Sequence, residues 1–229
     1  YKRNYIRLKF SREKVRSILN LSLPLIPHIL GGIVMGMSDR LFIEHMISLE
    51  SVGFYAIGYS FGKIIALFTD SFIKAWGPWF YKSIIDASDC KKREIVKYTY
   101  LYIVAVFILA GMTSWMAKLI LPFMVTESFF DSGQFIFWIA LGYAVQGIYK
   151  IFFPYLVHIS RTWFLAVSTV FAAIINIVLN YFLIIEFGAI GATYATVISF
   201  LVSATMVFWY QNKNYPMPWF MGIDSNKGL

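Results

Sequence analysis

Three ionisable side chains lie within or just after one of the apolar stretches of this chain. Lys63 and Asp70 interrupt the segment from Ser51 to Ile73, and Lys74 follows it directly. At 3.6 residues per turn, these spacings place all three side chains on one face of a helix. Ionisable groups inside a bilayer are costly and commonly serve a function. A helix with this stripe is therefore expected to face a partner helix or a watery cavity, and not lipid.

The stripe has two interpretations. Asp70 and Lys74 stand four residues apart with the acid first, a spacing at which the side chains can bond each other. Lys74 can also extend to the membrane interface. Lys63 has no acidic residue within one turn, and snorkelling from mid-membrane is difficult, so Lys63 is predicted to line a cavity. Tyr59 and Ser60 flank this face about one turn further out and belong to the predicted cavity.

Polar residues also share faces on two later apolar segments. Gln146 and Lys150 lie on one face of the fourth segment, where Lys150 either adds charge to the same cavity or snorkels to the inner interface. Asn176 and Asn180 lie on one face of the fifth. Asn side chains commonly bond neighbouring membrane helices, which favours a structural role. Both are kept as candidates for the cavity wall.

Three residues of the first apolar segment are candidates for gating or for an ion pair. Asp39 and Arg40 end this segment on its outer side, where a local ion pair or an interface anchor is favoured over gating. His28 follows Pro27 inside the segment. A proton relay is the functional alternative to a structural role for this histidine.

The sequence offers little for catalysis or for cofactor binding. It contains no glycine loop of the Walker type, no His/Cys cluster with metal-ligand spacing and no evident Ser, His and Asp set. We therefore expect neither an enzyme nor a cofactor. The net charge of +8 comes from short basic tracts between apolar runs, which is typical of cytoplasmic loops that face anionic lipid and not of a nucleic-acid-binding protein.

Composition and segment length predict an all-α, polytopic membrane helix bundle. Of the 229 residues, 59% are hydrophobic and 14% are charged, against roughly 25% charged residues in soluble domains. Residues 1–16 form a basic cytoplasmic segment and residues 213–229 a cytoplasmic tail. A spanning helix needs about 20 apolar residues. The six predicted transmembrane helices of the intervening lobe, 17–212, are 17–38, 51–73, 98–122, 133–157, 162–185 and 187–212.

The distribution of lysine and arginine predicts the orientation. The N-terminal segment, the connectors after the second and fourth helices, and the tail hold 15 of the 20 basic residues, whereas the three alternating connectors hold two. Cytoplasmic loops carry the excess of basic residues, so both termini of this chain are expected to be cytoplasmic. The short connectors further predict that consecutive helices are antiparallel neighbours. The aromatic cluster Trp76, Trp79, Phe80 and Tyr81, and Trp219 with Phe220, are predicted interfacial anchors.

Two sequence motifs resemble a known transporter family. The residues from Ser22 to Ile43 read SLPLIPHILGGIVMGMSDRLFI, with an LPLIPH start and an Asp-Arg pair followed by Phe42 and Ile43. VGFYAIGYSFGKIIALF follows from Val52, and AWGPWFYKSI from Ala75. These stretches resemble the Wzx-type oligosaccharide flippases of the multidrug/oligosaccharidyl-lipid/polysaccharide (MOP) exporter superfamily.

The resemblance implies that this chain is the C-terminal half of a two-lobed, MATE-like transporter for O-antigen, lipopolysaccharide or other polysaccharide biosynthesis. Such a protein flips an undecaprenyl-diphosphate-linked oligosaccharide from the cytoplasmic to the periplasmic face of a bacterial or archaeal cytoplasmic membrane. The implied partners are the lipid-linked oligosaccharide, membrane lipids, an N-terminal six-helix lobe and a polysaccharide polymerase complex.

Two alternatives stay open. A MATE-type exporter of small cationic molecules should carry acidic groups in its cavity, whereas the mid-membrane charge here is Lys63. A membrane enzyme of polysaccharide assembly should carry clustered catalytic residues in a large outer loop, whereas the outer connectors here are short.

Overall fold

A computed structural model describes residues 11–86 and 88–220 of the chain, and this part is almost entirely helical. Six stretches of helix are long and apolar enough to cross a membrane, which confirms the prediction of an all-α bundle with six spanning helices. The helices are α1 (Arg12–Ser22), α2 (Leu25–Met46), α3 (Leu49–Gly62), α4 (Ile64–Asp86), α5 (Asp89–Met124), α6 (Gly133–His158), α7 (Trp163–Phe187) and α8 (Ile190–Asn214). A 3₁₀ turn, Glu127–Ser132, precedes α6.

Serine side chains begin three of these helices. Ser11, Ser48 and Ser88 accept hydrogen bonds from backbone N–H groups in the first turns of α1, α3 and α5. These N–H groups have no partner inside the helix, so a side-chain oxygen at this position stabilises the helix start. Gly188 ends α7 with a φ of 67°, a conformation that glycine adopts without steric cost. The next helix begins two residues later.

The second membrane span is interrupted at Lys63, contrary to the prediction of one uninterrupted helix. Lys63 lies between α3 and α4 in a turn conformation. Its backbone N–H still donates to the Tyr59 carbonyl at 2.9 Å, and its own carbonyl accepts from the N–H of Leu67 at 3.3 Å. The two helices together therefore form one long span, Leu49–Ile85, with a local break.

Helix α6 lies at the centre of the bundle. It packs against α8, α5, α3 and α4, while α2 packs against α7 and α7 against α8. Consecutive helices are thus not always neighbours: α6 and α7 touch only slightly although one short turn at Ser160 connects them. The prediction of neighbour-to-neighbour packing was wrong here because small residues of α8, among them Ala195 and Ser199, let that helix approach α6 and α7 instead.

Two glycines allow the central helix to sit this close. A Cβ atom added to Gly62 would lie 2.5 Å from Cγ2 of Ile139, and one added to Gly147 would lie 2.7 Å from Cγ2 of Thr69. These distances are far below van der Waals contact. The first glycine brings α3 against α6, and the second brings α6 against α4.

The outside of the bundle is apolar, and its core contains many small and polar residues. Leu67, Leu101, Phe123 and Phe182 are all more than half exposed. Such exposure is costly in water but favourable against lipid tails, which are as apolar as leucine. The surface composition therefore fits a bilayer as the surrounding solvent.

Several predicted interfacial anchors instead pack inside the bundle. Phe80 is fully buried, Trp76 and Trp219 are nearly so, and Trp219 contacts the rings of Phe152 and Phe208. The segment after α8 folds back so that the carbonyl of Trp219 accepts a hydrogen bond from the Tyr100 hydroxyl, 2.5 Å away. Phe220 remains exposed. The anchor prediction was wrong for the three buried aromatics because tertiary packing takes up their rings.

Candidate functional site

A buried carboxylate is the most unusual group in the bundle. Asp39 lies on α2, is 2% exposed and accepts three hydrogen bonds from side chains on three other helices. The Tyr55 hydroxyl of α3 donates to it at 2.6 Å, the Thr196 hydroxyl of α8 at 2.7 Å and the Asn180 amide of α7 at 3.0 Å. The carboxylate thus joins four helices through neutral partners.

A second layer of polar groups surrounds these donors. The Ser38 hydroxyl donates to Oδ1 of Asn176 at 2.6 Å, and the Asn180 amide donates to the same oxygen at 3.1 Å. The Asn176 amide in turn donates to the Thr196 hydroxyl at 3.3 Å. Oδ1 of Asn180 is buried without a hydrogen-bond partner among the described residues. We call the set Ser38, Asp39, Tyr55, Asn176, Asn180 and Thr196 the Asp39 cluster.

The chemistry of the Asp39 cluster suits a proton or a small cation. Buried charges are normally paired with an opposite charge or coordinate a metal. The described part of the chain provides no cation within ion-pair distance of Asp39, because its two ion pairs are Lys91–Glu94 and Lys150–Asp70. The Asn180 side chain that donates to this carboxylate also has a buried oxygen without a hydrogen-bond partner among the described residues, and amide oxygens are ligands that hard cations accept.

The predicted local pair of Asp39 with Arg40 does not form. Adjacent residues on a helix point about 100° apart, so burial of Asp39 turns Arg40 outward. Arg40 is exposed, and its guanidinium carbon lies 4.7 Å from the centroid of the Tyr59 ring in a cation–π contact. The hydroxyls of Tyr59 and Tyr143 are hydrogen-bonded to each other. Arg40 is therefore joined to α3 and α6, and Asp39 is not an interface anchor.

Two cavities lie side by side along α2. The smaller, about 110 Å³, is lined by Asp39, Tyr55, Tyr59 and Thr196 among others. The larger, about 330 Å³, extends further toward the start of α2 and has His28 and Lys150 in its wall. The residues that line both are Gly32, Met35, Gln146 and Phe200. Gln146 is thus a polar group between the Asp39 cluster and the charged end of the larger cavity.

His28 contributes a hydrogen-bonding group to the larger cavity. Its Nδ1 lies 2.7 Å from the Thr169 hydroxyl and 3.3 Å from the hydroxyl of Tyr149, whose ring stacks on the imidazole with centroids 5.9 Å apart. The described structure places His28 and Asp39 eleven residues apart on one helix, about 16 Å at 1.5 Å per residue. A direct proton transfer between the two is excluded by this distance.

Asp70 has a different partner from the one predicted. Its Oδ1 lies 2.6 Å from Nζ of Lys150, which joins α4 to α6, and the local pair with Lys74 does not form. The side chain of Asp70 is 50% exposed and that of Lys150 is 25% exposed. Lys150 forms part of the wall of the larger cavity, whereas Asp70 does not line it.

The remaining predicted site residues divide into exposed and buried groups. Lys63 and Lys74 are exposed and have no ion-pair partner among residues 11–86 and 88–220, and neither lines either of the two cavities along α2. Ser60 is exposed and donates to the carbonyl of Ala56 on its own helix. Asn176 and Asn180 are fully buried in the Asp39 cluster, so they are not part of an open cavity wall.

Sequence reasoning missed several members of the cluster. The sequence pattern does not single out Ser38, Tyr55 or Thr196. One signal was available. The pair Asn176 and Asn180, one turn apart on a helix that is otherwise apolar, requires polar partners on the facing helices.

Comparison with known proteins supports the fold. No family model matches the chain. A protein of the Lsg locus of Haemophilus influenzae is 34% identical over 67 residues, which is 29% of this chain and 17% of that protein. A MOP superfamily transporter from Pyrococcus furiosus superposes over 85% of this chain and 44% of its own, with a TM-score of 0.61 and 16% identity. This chain has the fold of part of a MOP superfamily transporter. The matched regions cover less than half of either protein.

Proposed function

We propose that this chain forms one lobe of a membrane transporter that carries the headgroup of a lipid-linked oligosaccharide from the cytoplasmic to the outer face of the membrane. The observation that carries the proposal is the positive charge on the exposed side of α4 and α6. Lys63, Lys74 and Lys150 supply three positive charges, and Asp70 supplies one negative charge, which leaves two in excess. A diphosphate is the headgroup that matches this charge, because phosphate oxygens accept charge-assisted hydrogen bonds from ammonium groups.

Neutral polar groups on the same side suit the sugars. Gln146 lines the larger cavity together with Lys150, Tyr59 lines the smaller one, and Ser60 is exposed three residues before Lys63. Hydroxyl and amide groups of this kind hydrogen-bond sugar hydroxyls. Lys63 stands at the break between α3 and α4, about 21 Å along the helix from Leu49 at 1.5 Å per residue. That depth places its charge near the bilayer centre, where an exposed ammonium group requires an aqueous or anionic partner.

The Asp39 cluster is proposed as the site that couples transport to an ion gradient. Uptake of a proton or a cation changes the charge of Asp39 and therefore the strength of its bond from Tyr55. Tyr55 lies one turn from Tyr59 on α3, and their rings are 6.0 Å apart. Ion binding in the bundle is in this way linked to the exposed face that holds the substrate. Two lobes that rock around a central site would complete the transport cycle.

An exporter of small molecules is the second candidate, and Asp39 is the observation that favours it. An acidic group in an aromatic-lined cavity suits a cationic drug. The cavity around Asp39, about 110 Å³, is nevertheless smaller than the roughly 300–1,000 Å³ of drug-sized sites. The larger cavity has a lysine in its wall. Size and charge together favour an anionic substrate, with Asp39 reserved for a small ion.

The test is the Lys63→Ala substitution in the full-length protein, with export of surface glycan as the readout. We expect export to fall at least tenfold while the amount of protein in the membrane is unchanged, since a charge-assisted contact contributes roughly 1.5–3 kcal/mol. Lys118→Ala is the matched control, because it also removes an exposed positive charge, but near the end of α5 and not on the face proposed to bind the substrate. Full export with Lys63→Ala would contradict the proposal that Lys63 binds the anionic headgroup.

A further inference from the structure

We infer that Asp70 is a built-in counter-ion that neutralises Lys150 in the empty transporter and is displaced from it by the anionic headgroup of the substrate. The inference rests on the proposed function, since it takes a diphosphate as the competing anion. It assigns to Asp70 the regulation of the site and not direct contact with the sugar.

The ion pair lies where an unpaired charge would be costly. Asp70 is 21 residues along the span that begins at Leu49, or about 31 Å, and Lys150 is 17 residues into α6, or about 26 Å, at 1.5 Å per residue. Both helices start on the same side of the bundle. The pair therefore lies in the inner half of the membrane-spanning region, at a similar depth on both helices. Lys150 requires a negative partner at this depth.

The two partners differ in how firmly the fold holds them. Lys150 is 25% exposed and forms part of the wall of the larger cavity beside Gln146 and Tyr149. Asp70 is 50% exposed and does not line that cavity. A half-exposed ion pair is weak, because solvent competes for both charges. Asp70 can leave without opening the bundle, and Lys150 then remains in the cavity wall.

Lys74 is a second cation with which the displaced carboxylate of Asp70 can pair. Lys74 lies one turn further along α4, is exposed and has no ion-pair partner in the part of the chain that the structure describes. The four-residue spacing with the acid first is favourable for a pair within a helix. Asp70 can therefore exchange Lys150 for Lys74 by a change of rotamer. Asp70 thus keeps a cationic partner both before and after the substrate binds to Lys150.

Two substitutions should act on substrate affinity in opposite directions. The full-length protein is placed in phosphatidylcholine nanodiscs and titrated with undecaprenyl diphosphate, and with uncharged undecaprenol as the control lipid. Asp70→Asn removes the competing anion and is expected to tighten diphosphate binding roughly fivefold. Lys74→Gln removes the alternative partner and is expected to weaken it by a similar factor. Neither change should alter undecaprenol binding.

A double variant separates this role from direct contact of Lys74 with the substrate. In the Asp70→Asn background, Lys74→Gln should have no further effect, whereas a direct phosphate contact would be lost in both backgrounds. Asp70→Glu should restore affinity to near that of the wild type. Asp70→Ser serves as a second neutral variant, and melting temperature identifies any variant that fails to fold.

The outcomes distinguish the two proposals. If the wild-type protein binds undecaprenyl diphosphate no better than undecaprenol, the proposed function fails and the counter-ion role fails with it. If the wild type prefers the diphosphate but the two neutral variants of Asp70 bind it equally or more weakly, only the counter-ion role is overturned. Tighter binding by both neutral variants, with no effect of Lys74→Gln in their background, supports the inference.

Discussion

Replacement of Asp39 tests the hydrogen bonds at the centre of the bundle. Asp39→Ala leaves the donors of Tyr55, Asn180 and Thr196 without their acceptor. A buried donor without a partner costs about 1–3 kcal/mol. The adjacent cavity of about 110 Å³ has room for water that can bond these donors in part, so the lower limit of about 1 kcal/mol applies to each donor. For the three donors together, the expected loss in the free energy of unfolding is about 3 kcal/mol.

Asp39→Asn should cost much less. One amide oxygen in the place of Oδ2 keeps the bonds from Tyr55 and Thr196. The new amide nitrogen then faces Asn180, whose Oδ1 has no hydrogen-bond partner among the described residues and becomes its acceptor once the Asn180 amide turns over. That turn gives up the bond from Asn180 to Asn176, so the expected loss is about 1 kcal/mol.

Thermal unfolding of the purified full-length protein in detergent measures the difference. The two variants should differ by about 2 kcal/mol, which corresponds to about 4–8 °C for a chain of 150–250 residues. Equal melting temperatures for Asp39→Ala and Asp39→Asn would refute the view that the three bonds stabilise the bundle. Asp39→Asn should also lose the dependence of transport on the coupling ion. Retained ion dependence would place the coupling site elsewhere.

Two further predictions concern packing. Gly62→Ala should destabilise the bundle by about 1–3 kcal/mol, because the new Cβ would lie 3.0 Å or less from Ile139 and from a backbone nitrogen. Gly111→Ala is the control: no atom lies within 4 Å of its new Cβ, so it should be neutral or stabilising in the same melting assay. Trp219→Ala should lower stability by about 3–5 kcal/mol because its ring is buried. Phe220→Ala, which replaces an exposed ring, should have almost no effect. Similar melting temperatures for these two variants would mean that the segment after α8 does not contribute to the packing.

The number and type of the helices could be predicted from the sequence because both depend on local properties. Apolar length identifies a span whatever it packs against. The break at Lys63 could not be predicted in this way. No proline marks it, and the neighbouring Gly62 is explained as well by its close approach to Ile139 on another helix. The choice of α8 as the main partner of α6 also depends on contacts that are distant in sequence.

The partners of the charged residues were the least predictable part of the site. Each acid had a basic neighbour in sequence, Arg40 for Asp39 and Lys74 for Asp70, and the local pairing was wrong in both cases. The actual donor to Asp39 from α7 is 141 residues away, and the partner of Asp70 is 80 residues away. Adjacent helix residues point about 100° apart, so burial of Asp39 turns Arg40 away from the bundle. Asp70 and Lys74 share one helix face, and there the packing of α4 against α6 supplies Lys150 as the partner of Asp70.

The same geometry separates two kinds of acidic group in one bundle. Asp39 is closed off at 2% exposure with neutral donors on three helices, which leaves space and ligands for an ion but not for a larger molecule. Asp70 is half exposed with one cation in contact and another one turn away. We therefore propose that Asp39 changes its charge, whereas Asp70 changes its partner. Because α3 and α4 carry contacts of the two acids and meet at the Lys63 break, the same proposal makes this span the link between Asp39 and the charged face.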